Sequence, residues 1–249
     1  MRKIVSLAAV IAVAFVMSRP VSAQGDLPKA ADLLAKSVAA MGGANAVKAI
    51  KSIRIRGTFE MPAQGASGTI EIVQARPAQF RTTITIQGFG TIESGSDGKI
   101  AWSLDPVSGP ALLVGKALAD AVSDAQFDAP LYGPEYVKEA TTLEKTTFAE
   151  KAAYKLKVLT TFGTESTLYL DAATYMPLGV DKVEESPMGA MPTTTTLGDY
   201  KKFGALMQPT TMMQSAMGFS QNVRISSYEY DVVPASAFDL PASIKALIK

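Results

Sequence analysis

Short segments in which apolar and polar residues alternate run through most of this 249-residue chain. In one such segment, Ile53, Ile55 and Phe59 occupy alternate positions. Arg54 and Arg56 lie between them. Alternation with a period of two places the apolar side chains on one face of a β-strand and the polar side chains on the other. Only a few residues, rich in Gly, Pro, Asp or Ser, separate consecutive segments, so we predict antiparallel strands joined by short connections.

The alternating segments predict strands in both halves of the chain. Asp97-Gly98 lies between two of them and favours a tight hairpin, because Asp and Gly tolerate the positive φ of primed turns. No segment repeats with a period of about 20 to 50 residues, so a solenoid or propeller is not expected. The predicted strands are 51–61, 69–76, 80–86, 91–96, 99–104, 138–147, 153–161, 164–171, 178–185, 193–201, 208–217 and 221–230.

Helical periodicity appears before the first strand and again between the two sets of strands. Asp26 and Pro28 are start signals for a first helix, which Gly42-Gly43 ends. Residues 112–122 predict a second helix, and residues 241–248 a closing helical turn. The pattern as a whole predicts an α+β fold, in which helices cover the apolar face of one large, curved antiparallel sheet.

The first residues are typical of an export signal. Arg2 and Lys3 precede an apolar run from Ile4 to Met17, and Val21-Ser22-Ala23 resembles a cleavage site. We predict a cleaved signal peptide over residues 1–23 and a single domain over residues 24–249. An uncleaved membrane anchor is the alternative, but the apolar run is shorter than the roughly 20 residues that span a bilayer.

The composition excludes several classes of function. The chain contains no His and no Cys, which rules out a Ser-His-Asp triad, a Cys nucleophile and a Cys/His zinc site. Removal of residues 1–23 takes away three positive charges and changes the formal net charge from +1 to −2. No basic stripe is present, so nucleic acid is not an expected partner.

Scattered positions over about residues 30–240 resemble the periplasmic outer-membrane lipoprotein-sorting superfamily, the LolA/LolB/LppX-like proteins. None of the short motifs is highly specific, and the resemblance rests on the order of the strands. The sequences that carry it, after the exported leader, are Met41-Gly42-Gly43, the strand 50–57, Arg76-Pro77, Asp97-Gly98 followed by Trp102, Tyr154 to Val158, Tyr169-Leu170-Asp171, and Asp199-Tyr200-Lys201 followed by Pro209.

The resemblance implies an incomplete β-barrel with helices across its open, apolar face and an interior that shelters acyl chains. It also implies a periplasmic location, lipid or lipidated protein as partner, and donor and acceptor proteins at the inner or outer membrane. No residue of this chain maps securely onto an established functional position of the carrier proteins. One scaffold hosts different tasks, so the fold is better supported than the cargo.

The apolar faces of the predicted strands supply the candidate binding residues, and Leu112, Leu113 and Leu118 of the predicted helix 112–122 cap them. Two interpretations stay open: these residues line a lipid cavity, or they form an ordinary packed core. Neither involves a metal or a cofactor. The candidate cavity residues are Ile53, Ile55, Phe59, Ile70, Ile72, Phe80, Ile84, Ile86, Trp102, Leu104, Leu112, Leu113 and Leu118.

Catalytic patterns are weak. Ser96 and Lys99 match a Ser-x-x-Lys string, but the string crosses a predicted hairpin turn, where the two side chains have no helical reason to meet. Glu184 and Glu185, with Asp181 nearby, could supply paired carboxylates for glycoside hydrolysis. Adjacent strand residues point to opposite faces, however, and a solvated strand edge explains these acids more simply. We therefore expect no enzymatic activity.

Three hypotheses follow for the function. The first is a periplasmic binding or carrier protein for lipid or the acyl chains of lipoproteins. The second is a structural or protein-interaction module of the cell envelope without lipid cargo. The third is a carboxylate hydrolase, which would need two facing acids inside a polar cleft.

Overall fold

A computed structural model describes residues 27–186 and 189–248, and consists mainly of β-strands. The predicted signal peptide, residues 1–23, lies outside the described residues. The helices are α1 (Ala30–Ala40), α2 (Ala44–Ala49), α3 (Gly115–Asp124) and α4 (Ala242–Lys245). The strands are β1 (Ser52–Met61), β2 (Ala66–Ala75), β3 (Gln79–Ile86), β4 (Gly90–Ser96), β5 (Ala101–Asp105), β6 (Gly109–Leu112), β7 (Val137–Phe148), β8 (Lys151–Thr160), β9 (Glu165–Asp171), β10 (Pro177–Ser186), β11 (Gly189–Gly198), β12 (Lys201–Phe203), β13 (Leu206–Gln208), β14 (Thr211–Ala216) and β15 (Phe219–Tyr230).

Thirteen strands form one sheet in the order β6-β5-β4-β3-β2-β1-β15-β14-β11-β10-β9-β8-β7. Every neighbouring pair is antiparallel. The edge strands β6 and β7 do not pair with each other, so the sheet is open, as expected of an incomplete barrel. The strands β12 and β13 form a separate hairpin. The predicted antiparallel sheet is confirmed.

Local differences from the predicted elements have simple causes. Gly109 and Pro110 lie between the predicted strand 99–104 and the predicted helix 112–122, but they begin β6, where an edge position tolerates a proline that cannot donate to a ladder. The helix α3 begins at Gly115, three residues later than expected. The predicted strand 208–217 is divided between β13 and β14. No helix within the described residues is long and apolar enough to span a membrane.

The strand register defines two faces of the sheet. Ile55 lies opposite Tyr228 and Ile72, and Phe59 lies opposite Val223. Continuing the pairing across β14 and β11 brings Val180 and Leu168 to this same face. We call it the cavity face. Arg56 lies on the opposite face, where it donates hydrogen bonds to Glu71 and Glu229 at 2.8 and 2.7 Å.

Two groups of buried side chains lie on the cavity face. One combines β1, β2 and β15, and Phe59 at 1% exposed is its most buried member. The other joins α1 to β8 and β9, where Leu33 and Leu34 of the helix pack with Leu156 and Leu170. The apolar spacing that predicted the first helix therefore reflects its packing against the sheet.

Candidate ligand-binding cavity

A cavity of about 500 Å³ lies on the cavity face in the second half of the sheet. Its volume falls within the range of small-molecule binding sites, roughly 300 to 1,000 Å³. Strands β8 to β11 and β14 form the wall, and the segment between α3 and β7 lies across it. The apolar and aromatic residues of the lining are Met41, Ala129, Pro130, Tyr132, Tyr136, Val158, Leu168, Pro177, Val180, Leu197, Tyr200, Pro209 and Met212.

The register explains why these strands present an apolar wall. Val180 lies opposite Leu168 on one side and Thr195 on the other. Leu197 lies opposite Met212 on the next strand pair. Paired residues in an antiparallel sheet point to the same face, so four strands contribute side chains to one surface.

Tyrosines close part of this cavity. Burial raises the pKa of Tyr132, Tyr136 and Tyr200 above the usual tyrosine range, because the ionised form is poorly solvated there. Tyr200 donates a hydrogen bond to the carbonyl oxygen of Pro177 at 2.8 Å. These phenols are therefore neutral at physiological pH and present ring surface to the cavity.

A second cavity, of about 440 Å³, lies between α3 and the strands β2 to β4 and β10. Ile72, Phe80 and Leu113 contribute apolar surface to it. It shares four residues with the first cavity, so the two spaces adjoin. The shared residues are Asp124, Thr164, Lys182 and Glu184.

An ion-pair cluster marks the junction of the two cavities. The Lys182 ammonium, on β10, lies 2.8 Å from an Asp124 carboxylate oxygen at the end of α3 and 3.1 Å from a Glu184 oxygen. Burial alone would lower the pKa of Lys182, but the two carboxylates outweigh it and raise the pKa. Lys182 is therefore charged, and its ion pair with Asp124 ties α3 to the sheet.

A third space of about 170 Å³ adjoins the first cavity near α2 and β13. Ile53, Ile55 and Phe127 contribute to its lining, and Met41 and Gln208 border both spaces. The three spaces thus adjoin one another along the cavity face.

The structure divides the predicted binding residues into groups. Ile53, Ile55, Ile72, Phe80 and Leu113 line the second or third cavity. Phe59, Ile70, Ile84 and Ile86 share their face but belong to the packed cluster. Leu118 is half-buried on α3.

Three predicted residues lie on the other side of the sheet, and their assignment to the cavity face is corrected. Trp102 pairs with Gly95 and Leu112, whereas Phe80 pairs with Ser96. The loop between the paired residues Ser96 and Ala101 contains four residues. Because this number is even, even-numbered residues of β4 pair with odd-numbered residues of β5, and Trp102 points away from the face that Ser96 shares with Phe80. Trp102, Leu104 and Leu112 therefore share the face opposite to Phe80.

The lining supplied by β8 to β11 and β14 was missed as a binding surface, although most of these strands were predicted. The alternation of Val158 with Lys157, and of Leu168 with Thr167, indicated an apolar face. That pattern is the same for a packed face and for an open one. Whether helices fill the space depends on tertiary packing, for which single strands give no signal.

The carboxylates on β10 are not arranged as a catalytic pair. Asp181 accepts hydrogen bonds from Tyr169 and Thr194 on the face opposite to the cavity. Glu184 lies on the cavity face, in its ion pair with Lys182. Ser96 is buried, and its hydroxyl oxygen accepts a hydrogen bond from the Gly98 N–H. Each group thus has a structural role in a turn, a pair of strands or a helix contact.

No protein-family model matches the sequence, and no curated protein matches it. Several solved structures do match this chain. A LolA superfamily protein of Nitrosomonas europaea is 14% identical with a TM-score of 0.57, and the match covers 86% of this chain and 99% of that one. A DUF1329 family protein of Desulfovibrio piger is 11% identical with a TM-score of 0.60, covering 87% and 100%.

An outer-membrane lipoprotein-sorting protein domain of Vibrio parahaemolyticus is 15% identical, with a TM-score of 0.51 and coverage of 83% of this chain and 97% of that domain. These likenesses extend over nearly the whole length of the compared proteins. They are consistent with the resemblance seen in the sequence. The chain therefore has the fold of the LolA superfamily and outer-membrane lipoprotein-sorting proteins.

Proposed function

We propose that this protein is a non-catalytic carrier or binding protein for lipid or for the acyl chains of lipoproteins. The observation that carries the proposal is the cavity of about 500 Å³, with its predominantly apolar wall, and the two spaces that adjoin it. Proteins of the same fold include one described as a lipoprotein-sorting domain, which agrees with this assignment.

Transfer free energies explain what such a protein can and cannot do alone. Burial of each CH₂ group contributes about 0.8 kcal/mol relative to water, so an ordinary acyl chain contributes on the order of 10 kcal/mol. The same burial is nearly neutral relative to a bilayer, because one apolar environment replaces another. Loading and unloading then depend on donor and acceptor proteins at the two membranes.

In this proposal the helices are the cover of the apolar face. α1 packs through Leu33 and Leu34, whereas α3 is attached by the polar contacts of Asp120 and Asp124. The first helix is thus a fixed part of the cover and α3 a releasable one. The proposal includes export by a signal peptide over residues 1–23 and a single periplasmic domain over residues 24–249.

One test is to detect bound lipid, and another is to fill the cavity with larger side chains. Native mass spectrometry and solvent extraction of the purified protein should reveal bound lipid, and a fluorescent fatty acid should bind. Ser166→Phe with Thr195→Phe places two rings in the cavity and should weaken probe binding about tenfold or more. Thr167→Phe with Thr196→Phe changes the adjacent residues on the opposite face and is the matched control.

Two outcomes would refute the carrier proposal. One is a purified protein that contains no lipid and does not bind the probe. The other is equal loss of probe binding in the cavity variant and in the control, at unchanged melting temperature.

A protein-interaction module without lipid cargo is the second candidate. The observation in its favour is β7, an edge strand with its outer hydrogen-bonding groups open to pairing. Lys138, Glu139 and Lys145 on this strand are exposed, however, and charged residues discourage pairing at a sheet edge. A stable protein partner recovered without lipid would support this candidate over the first.

A further inference from the structure

The charged groups at the junction of the first two cavities carry an excess of negative charge. The Asp124 and Glu184 carboxylates both contact the Lys182 ammonium. Asp120 of α3 adds a third carboxylate to the lining of the second cavity. Lys116, which is half-exposed, pairs with Asp120 on α3. Even with Lys116 included, these carboxylates outnumber the ammonium groups by three to two. The junction therefore has a net negative charge.

The Lys182 ammonium is already engaged by acids of the protein. An ammonium group has three N–H donors, and two carboxylates lie 2.8 and 3.1 Å from this one. A carboxylate or phosphate of a ligand placed here would meet Asp124 and Glu184 at close range, where like charges repel. The junction therefore disfavours an anionic head, and the third N–H of Lys182 suits an uncharged oxygen acceptor.

Uncharged polar side chains line the sheet side of the second cavity. Thr82 pairs with Ile72 on one side and with Ser94 on the other, so the two hydroxyls are neighbours on the cavity face. Gln74 lies on the same face, opposite Phe80. All three polar side chains are half-buried, and none has a hydrogen-bond partner within the part of the chain that the structure describes. A ligand that brings both donors and acceptors would satisfy them.

We propose that the junction and the second cavity hold the uncharged, hydroxyl-bearing head of a lipid, as glycerol or a sugar supplies, while its acyl chain occupies the first cavity. Gln74, Thr82 and Ser94 exchange hydrogen bonds with the hydroxyl groups of the head. Lys182 donates its remaining N–H to an oxygen of the head. A few placed polar groups beside apolar surface are typical of sites that fix the orientation of a ligand. This inference rests on the carrier proposal and adds to it the class of head.

The test compares ligands of one chain length that differ in the head. Lauroylglycerol, dodecyl glucoside, laurate, dodecyl phosphate and dodecylammonium each compete with the fluorescent fatty acid for the purified protein, below the concentration at which they form micelles. The chain contributes nearly equally, so the differences report the head. We expect lauroylglycerol or dodecyl glucoside to displace the probe at about tenfold lower concentration than the charged ligands. These two arms distinguish a glycerol head from a sugar head.

Two double variants test the hydroxyl groups. Thr82→Val with Ser94→Ala should raise the concentration of the better uncharged ligand needed for displacement by about fivefold or more, and should leave that of laurate unchanged. Thr85→Val with Thr91→Val is the matched control, because these residues pair directly on the same two strands but on the opposite face. It should leave both concentrations unchanged.

A third variant tests the charge of the junction. Asp124→Asn keeps the size of the side chain and removes one of the two negative charges beside Lys182. Dodecyl phosphate should then displace the probe at about threefold lower concentration than it does with the unaltered protein. The melting temperature of each variant shows whether the fold is retained.

The inference is overturned if a charged ligand displaces the probe as well as the better uncharged ligand does, or if the two hydroxyl variants behave alike. Equal displacement by all heads would refute this inference alone, because binding of the probe would still demonstrate a site for acyl chains. Absence of probe binding would refute the carrier proposal as well.

Discussion

Ala149 and Glu150, at the tip of the β7–β8 hairpin, have positive φ values of 46° and 64°. Phe148 and Lys151 pair directly on either side, so the loop has only two residues. A two-residue turn with positive φ at both positions has the primed geometry that matches the twist of the strands. Neither residue is one that favours this conformation, and the left-handed region costs about 1 to 2 kcal/mol for a residue with a Cβ.

Replacement of this pair should therefore stabilise the protein. We expect Ala149→Asn with Glu150→Gly to raise the free energy of unfolding by about 1 to 2 kcal/mol, measured by urea denaturation. Thr147→Gly is the control, because this exposed strand residue lacks a positive φ and glycine weakens strands. A gain in both variants, or in neither, would contradict the explanation.

Gly95 provides a second test of a single position. A Cβ at Gly95 would lie 2.7 Å from the Trp102 ring and 3.0 Å from the Phe80 carbonyl oxygen. Trp102 is 2% exposed and has little room to move. Gly95→Ala should destabilise the protein by about 1 to 3 kcal/mol, seen as a lower melting temperature.

Gly198→Ala is the matched control for Gly95. Its Cβ would meet only the Thr211 hydroxyl, a side-chain atom that can rotate away. We expect a smaller loss of stability. Equal losses at the two positions would mean that the close approach of Trp102 does not determine the effect.

Among the elements, α3 is joined to the sheet by polar contacts at its C-terminal half. Lys182 contacts Asp124, and the Thr164 hydroxyl donates to Asp120 at 3.0 Å. Lys182 is mostly buried, with 21% of its side chain exposed. Two carboxylates face it, so its removal leaves their charges without compensation.

Lys182→Met should lower the free energy of unfolding by about 1 to 2 kcal/mol, less than for a fully buried pair because Asp124 is half-exposed. Lys116→Met is the control. Lys116 pairs with Asp120 one helical turn away and is exposed, so its loss should cost about 0.5 kcal/mol or less. Urea denaturation of both variants distinguishes the two environments, and an equal cost would argue against an attachment of α3 through Lys182.

The strands also show which parts of the fold the sequence patterns predicted. Period-two alternation and the short connections located β1 to β5, β7 to β11, β14 and β15. The strand β6 was missed, since Gly109-Pro110 is also a signal for a break. The side chains of β5 were assigned to the wrong face of the sheet. Which face they occupy depends on the number of residues in the β4–β5 loop, and Asp97-Gly98 alone does not determine that number. Periodicity left a cavity and a packed core open as alternatives, because empty space arises between elements rather than within them.

For the whole molecule, buried tyrosines make stability depend on alkaline pH. The pKa of Tyr169 is raised to about 12, chiefly by burial and further by the hydrogen bond that it donates to Asp181. Burial also raises the pKa of Tyr200 and Tyr228. A raised pKa in the folded state contributes stability that is fully present below the unfolded value, about 10 for tyrosine, and is lost as the pH rises through the folded value.

We therefore expect the melting temperature to be insensitive to tyrosine ionisation below about pH 10 and to fall between about pH 10 and 12. Tyrosinate absorbance should rise over the same interval as unfolding. Tyr169→Phe should reduce the steepness of the fall. Ionisation of all tyrosines near pH 10, with the fold intact, would contradict this assignment.

Because the edge strands β6 and β7 do not pair with each other, strand pairing does not limit the size of the interior. In a closed barrel, strand number and stagger set the diameter, so a larger guest requires a different protein. Here no ladder of backbone hydrogen bonds joins the two margins. Widening the gap between these margins then breaks side-chain contacts rather than a strand pairing. In the carrier proposed above, the same thirteen strands would then hold guests of several lengths.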